Sequence, residues 1–398
     1  MKFYQSWRFV IPLLSVFLLN SCGIDGSGLT AGGGIGGTGI ISQGAIAAFG
    51  SIVVNGTKFD TSNATLIVKG EEVGVGDSIV RVYLDIGRVV TVEGSGREDD
   101  KNAVALRVIY SNNVEGPVER IGNIDRSTKE MVVLGQTVIV NALTKFKGTS
   151  FDTIARNNVV EVSGLVDNRG AIRATFLEKI GAFTASTTVE VNGLVKNLDT
   201  DLQTFKINDL AVDYSLADTS SLPEGLPANG LQVDVEGTLD ATGGQMLATK
   251  IEPGDGLGAK NADEIEVIGF VSNFVTVSEF TLGNQVVIVE KGAEFVDGEI
   301  TDIADGAKLE AAGTLVDGIL YAHEIEFWGP DQIEVEGVVT DVVSGSEFTV
   351  GDQVTATNSE TVFEDGGPEG IVLGINLEIK GRLIDGILVA DKVTFTDQ

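Results

Sequence analysis

Asn376-Leu377-Glu378-Ile379-Lys380-Gly381-Arg382-Leu383-Ile384-Asp385-Gly386-Ile387-Leu388-Val389-Ala390-Asp391-Lys392-Val393 is the stretch that decides the fold. Apolar and polar residues alternate on both sides of Asp385-Gly386, a dipeptide suited to the positive φ angles of a two-residue hairpin turn. The pattern predicts paired strands over Asn376–Leu383 and Ile387–Phe395. Alternation turns Leu377, Ile379 and Leu383 inward, and Glu378 and Lys380 outward to solvent. Upstream, Ile333 to Val343 alternates in the same way, and short strands follow at Glu347–Val350 and Gln353–Thr357. Gly366-Gly367-Pro368 excludes a continuous strand and predicts a turn or short helix within Glu364–Gly374.

This unit recurs. An apolar-x-Gly-x-Val opening stands at Val114-Glu115-Gly116-Pro117-Val118, Val191-Asn192-Gly193-Leu194-Val195, Val267-Ile268-Gly269-Phe270-Val271 and Val335-Glu336-Gly337-Val338-Val339, with the first copy opening at Gly44-Ala45-Ile46. These glycines are spaced by 72, 77, 76 and 68 residues. A second marker follows late in each copy, as Val90-Thr91-Val92-Glu93-Gly94, Val160-Glu161-Val162-Ser163-Gly164, Val233-Asp234-Val235-Glu236-Gly237, Leu309-Glu310-Ala311-Ala312-Gly313 and Leu377-Glu378-Ile379-Lys380-Gly381. A third is Ala followed three residues later by an apolar residue: Ala105/Val108, Ala174/Leu177, Ala248/Ile251, Ala322/Ile325 and Ala390/Val393. Three markers in one order, five times over, define tandem copies at 44–112, 113–182, 187–254, 263–328 and 331–398. Asn55-Gly56 and Asp317-Gly318 supply further hairpin turns. The fold class is therefore all-β. Five strands with a short helical turn before the fourth are the layout of a small OB-like barrel, although a β-sandwich of the same size satisfies the same pattern. The copies are expected to form a rod or string, hinged most freely at Gly254–Asn261.

Composition narrows the function. The chain has 51 Gly and 7 Pro in 398 residues, as many short strands and tight turns require. Its net charge of −31 disfavours nucleic acid, whose phosphates are bound by Lys and Arg. At the N-terminus, Lys2 and Arg8 precede the apolar run Phe9–Leu19, which is too short to span a bilayer and reads as a signal peptide, residues 1–21. The following Leu19-Asn20-Ser21-Cys22 resembles the lipobox of bacterial lipoproteins. The resemblance implies cleavage between Ser21 and Cys22, lipidation of Cys22, and attachment to the membrane through that anchor. Gly23 and Ile24, in place of Asp, imply the outer membrane of the cell envelope by the same resemblance. Residues 22–43 read as a Gly-rich tether. Its Gly34, Gly36 and Gly39 match a dinucleotide motif formally, but without the strand and helix that motif needs.

Catalytic signals are absent, so no enzyme, cofactor, metal or catalytic residue is expected. His323 is the one histidine, on the outward face of a final strand, and Cys22 is the one cysteine. No G-x-S-x-G stands in the chain. The marker carboxylates Glu93, Glu161, Glu236, Glu310 and Glu378 fall on polar strand faces, where solvation is their default and a carboxylate-dependent hydrolase is disfavoured. Asp199-Thr200-Asp201 and Asp297-Gly298-Glu299 would offer oxygens to calcium, or serve as ordinary turns. Phe205, Phe280 and Phe348 are expected in cores, and Trp328 at the junction of the fourth and fifth copies.

Gly34-Ile35-Gly36-Gly37-Thr38-Gly39, Phe49-Gly50-Ser51-Ile52-Val53-Val54-Asn55-Gly56 and the repeated glycine markers resemble a bacterial domain-of-unknown-function family found in tandem in exported lipoproteins. That resemblance covers most of residues 34–398 and implies a fold without a chemistry. The expected function is a lipid-anchored envelope protein with a non-enzymatic binding or scaffolding role, its partner an envelope protein or glycan. A calcium- or saccharide-binding surface module is the alternative.

Overall fold

The computed structural model describes residues 39–396 apart from 50, 97–101, 241–243, 255, 256, 258, 330, 331, 352 and 385. The signal segment, Ser21, Cys22 and the spacer to residue 38 lie outside the described residues, as do Asp385 and part of 254–261.

Five closed barrels follow one another. In the second, strands Val114–Asn123, Lys129–Val133, Gln136–Val140, Asn158–Val166 and Ile172–Ala182 pair in the order 1-2-3-5-4-1, parallel between the third and fifth and antiparallel elsewhere. The other copies repeat this ladder, the first closing between its first two strands through a bridge at Ala48 and Val53. This is the barrel expected from the strand pattern, and closure leaves no long open edge. Before the fourth strand stand the helix Asp77–Tyr83 in barrel 1 and 3-10 turns at Pro223–Gly225, Ile300–Asp302 and Pro368–Gly370 in barrels 3 to 5. Barrel 2 departs from the plan, with one hydrogen-bonded turn (Ile154 N to Ser150 O, 3.0 Å) in place of a helix.

The markers are explained by the barrel wall. The late glycine sits at a β-bulge in every copy, directly opposite the marker alanine of the fifth strand: Gly94 with Ala105, Gly164 with Ala174, Gly237 with Ala248, Gly313 with Ala322 and Gly381 with Ala390. A Cβ there would meet a backbone carbonyl of the fifth strand at 2.6, 2.3, 2.2, 2.0 and 2.3 Å, in that order. No side chain fits, so the bulge demands glycine. Asn55-Gly56 and Asp317-Gly318 both take positive φ at both positions, the hairpin turn expected of them.

Each wall encloses valine, leucine and isoleucine. Leu377 and Ile379 are fully buried and Leu383 packs beside them, while Phe205, Phe280 and Phe348 are core residues of barrels 3, 4 and 5. Barrels 1, 4 and 5 have cores of their own, that of barrel 4 taking in Ile41 of barrel 1, whereas those of barrels 2 and 3 run together.

Two expectations are corrected. Residues 39–43, assigned to the tether as the end of the Gly-rich segment 22–43, belong to the first strand Gly39–Ala45. Pairing on both sides offsets the entropy that the composition seemed unable to meet. The copies also do not form a simple string. Gly39–Ala45 of barrel 1 pairs in parallel with Ala262–Thr276 of barrel 4, joining two non-consecutive copies into one 12-stranded sheet. Barrels 2 and 3 form a second such sheet through Glu190↔Glu115 and Val191↔Val114.

Candidate functional site

The polar strand faces meet one another between the barrels, and the charged chemistry of the chain collects there. Three of the five marker carboxylates are buried: Glu93, Glu161 and Glu310 are 1%, 7% and 7% exposed. Glu378 is half-buried and Glu236 exposed. Lys380, expected in solvent, is 4% exposed. Alternation placed these side chains correctly outside their own barrels. Solvent is excluded by the neighbouring barrel instead.

At the junction with barrels 2 and 3, barrel 1 supplies Lys69 and Arg88, and Lys147 of barrel 2 reaches back to Asp85 of barrel 1 at 3.0 Å. Lys69 is held at positive φ by the turn it shares with Gly70, and its ammonium lies 2.7 Å from Glu115, 2.5 Å from Glu190 and 3.7 Å from Glu161. Glu161 stands directly opposite Glu115 and Glu178 in the sheet, and Glu190 opposite Glu115 and Glu236. Like charges in register repel, so a cation from outside is needed to hold these faces together. Burial lowers the Lys69 value, but Glu190 and Glu115 outweigh it and hold the ammonium charged well above its ordinary range. One cation cannot serve three carboxylates equally. Burial and the neighbouring Glu115 leave the Glu190 carboxyl above its usual value, while Glu161 falls below it because Arg88 and Lys69 overcome burial.

Arg88 is 4% exposed and bridges barrels 1 and 2. Its guanidinium binds Glu161, Glu178 at 2.8 Å and the hydroxyl of Tyr110, and lies 4.7 Å from the ring centre of Tyr110 and 4.3 Å from that of Phe176. The planar fork and two ring contacts suit arginine and not lysine. A cleft of about 570 Å³ opens beside Lys69, lined by Glu71, Glu190, Glu236, Lys250 and Glu252 among others.

A second cleft of about 310 Å³ lies among Asn55, Gly56 and Thr57 of barrel 1 and six glutamates of barrels 4 and 5: Glu266, Glu310, Glu324, Glu326, Glu334 and Glu378. Lys380 of barrel 5 binds Glu326 and, at 3.1 Å, Asp297 of barrel 4. Its ammonium is 4.4 Å from the ring centre of Trp328, which packs at this junction as its position between copies suggested.

The remaining candidates from sequence are scattered. His323 is partly exposed and faces Glu264 at 3.4 Å. Asp199 accepts the backbone N–H groups of Asp201 and Leu202 at 3.0 and 2.9 Å, a turn holding itself. Asp297 is engaged by Lys380. Among the described residues no three His, Cys, Asp or Glu side chains come together as metal ligands. Cys22 and Ser21 lie outside the described residues.

Sequence reading missed Lys69, Arg88, Glu190, Glu266 and Glu334. A signal was present: the residue three before the opening glycine is Glu in copies 3, 4 and 5, at Glu190, Glu266 and Glu334. Acids at that position and at the late marker share one outer face, which calls for a covering partner. Nothing in the pattern of a single copy says that the partner is another copy.

A family model described as a domain of unknown function, DUF5666, matches residues 38–109, 115–178, 183–252, 268–326 and 336–394. Comparison with curated proteins gave no match.

Proposed function

From the premise that the chain belongs to the DUF5666 family, with five tandem copies of its domain, we propose that it is a non-enzymatic scaffold of the cell envelope, held to the outer membrane through a lipid on Cys22. The observation that supports a scaffold is the use made of the recurring polar residues. In the junctions Glu161, Glu190 and Glu326 are tied to Lys69, Arg88 or Lys380 of another barrel, which joins copies to one another. Glu93 is bound within its own barrel by Arg107 at 2.6 Å. Such residues hold the copies in one arrangement and present a large outer surface to a partner, an envelope protein or glycan.

A carboxylate hydrolase is less well supported. Acid–base work needs neighbouring carboxyls whose values are pushed apart, whereas burial raises Glu266, Glu310 and Glu334 of this cleft together. Calcium at the acidic turns is not favoured either, since Asp199 and Asp297 already have partners.

Replacing Cys22 by Ser should move nearly all of the protein from the membrane fraction to the soluble fraction of cells expressing the full chain, because the acyl chains supply the attachment. Immunoblots of the two fractions measure it. A Cys22→Ser protein that stays with the membrane would sink the lipid-anchor reading.

A further inference from the structure

The cleft among barrels 1, 4 and 5 has too few cations for its acids. Facing it are Glu266 from Ala262–Thr276, Glu310 from Lys308–Val316, and Glu324 and Glu326 from Ile319–Trp328, while Glu264 and His323 of the same strands pair with each other at 3.4 Å. Barrel 5 adds Glu334 and Glu336 from Gln332–Ser344, and Glu378 and Lys380 from Asn376–Ile384. Among the described residues barrel 1 lines it with Asn55, Gly56 and Thr57, and Ser42 donates to Glu266 at 3.3 Å. Lys380 is shared between Glu326 and Asp297, Lys308 packs on the Trp328 ring at 5.0 Å and donates to the Gln332 carbonyl at 2.9 Å, and Lys392 is bound to Glu364 at 3.0 Å. Glu336 stands directly opposite Glu378, and Glu310 opposite Glu326, so the register adds repulsion.

We propose that this junction is a proton-operated latch: barrel 5 stays docked on barrel 4 while protons are held among Glu266, Glu310 and Glu334, and it disengages when they are lost. Glu334 of barrel 5 lines the cleft together with Glu266, Glu310 and Glu326 of barrel 4, and carboxyls gathered across a junction repel one another once their protons are gone. Burial, with the neighbouring carboxylates, pushes Glu266 up to about 7 and Glu310 and Glu334 well above the usual carboxylate range. Because these values are raised in the docked state, the contribution is complete below the ordinary glutamate value of 4.5. It is lost as pH rises through about 7 and beyond.

Trp328 offers a reporter, being 9% exposed beneath Lys380 at the interface. In the full chain carrying Trp7→Phe it is the sole tryptophan. Acrylamide quenching of Trp328 should increase about three-fold between pH 5.5 and pH 9, as the tryptophan passes from covered to open, and the radius of gyration from small-angle scattering should rise in parallel. Both changes should vanish in Glu310→Gln/Glu334→Gln, whose amides mimic protonated carboxyls at every pH. Should the double variant fold poorly, Glu334→Gln alone should shrink both changes. Quenching and radius that are equal at the two pH values, or that change as fully in the glutamine variants as in the parent, would overturn the latch.

Discussion

Gly313→Ala is expected to destabilise barrel 4 by about 3 kcal/mol and lower its melting temperature by roughly 15 °C, the scale of overpacking a rigid site in a domain of about 70 residues. The added methyl would lie 2.0 Å from the Tyr321 carbonyl oxygen and 2.8 Å from the Cα of Ala322. Both are backbone atoms of the strand paired with Gly313, so no rotamer change relieves the contact. Relief requires the bulge to open, and the bulge is what curves this wall around Leu309, Ala311 and Leu315. Gly122→Ala is the matched control. Gly122 also lies in a strand, without positive φ, and has open space where its Cβ would stand. Alanine there should be neutral or slightly stabilising, since glycine in a strand loses more entropy on folding. Calorimetry of the two variants separates the cases. Equal melting curves would mean that the late glycine is not required by the wall.

Arg88→Ala is expected to cost about 3–5 kcal/mol, the usual penalty for removing one partner of a buried ion pair. Glu161 would lose its closest cation while 7% exposed, and would still face Glu115 and Glu178 in the sheet with Lys69 at 3.7 Å as its remaining counter-charge. Tyr110 and Phe176 would lose the group packed on their rings. Adding Glu161→Gln should recover part of the loss, which a double-mutant cycle measures as a coupling energy. Arg88→Lys should recover little, because an ammonium cannot bind Glu161, Glu178 and Tyr110 from one position. The pH dependence has a definite sign. Arg88 and Lys69 hold the Glu161 value below normal against the effect of burial, so the pair stabilises the parent above the ordinary 4.5 and loses that contribution as pH falls through the lowered value. The deficit of Arg88→Ala should therefore be large at pH 7 and shrink as pH falls below 4.5. A deficit that does not change with pH would show that the arginine acts through packing and not through charge.

The two junctions respond oppositely to pH because their charge balance differs. At barrels 1, 2 and 3, Lys69 and Arg88 meet Glu161 and keep it ionised. At barrels 1, 4 and 5, Lys380 is engaged by Glu326 and Asp297, and Glu266, Glu310 and Glu334 are left to hold protons.

Much of the barrel was legible in the chain because its causes are local. Period-two alternation chose the inward residues Leu377 and Ile379, and Asn55-Gly56 and Asp317-Gly318 chose their turns by backbone conformation alone. Gly94, Gly164, Gly237, Gly313 and Gly381 announced a shared constraint by recurring, although its nature, a carbonyl of the fifth strand pressed against the bulge, needs coordinates to see. Residues 39–43 were misplaced because glycine content describes the cost of order, not the partner strand, here Ala262–Thr276, that offsets it.

What the sequence determined by itself is the repeating unit: five copies, one strand plan, and which side of each strand faces its own core. These follow from contacts within about 70 residues and from backbone sterics, and both are written in residue order. What only the tertiary structure decided is the fate of the opposite side. An outward glutamate is solvated or buried according to which other barrel meets it. Glu161 met Arg88 from 73 positions away, Glu310 met Glu266 and Glu236 met water. Charge interactions of that kind depend on distance through space and on the exclusion of solvent, and neither quantity is encoded by periodicity along a strand.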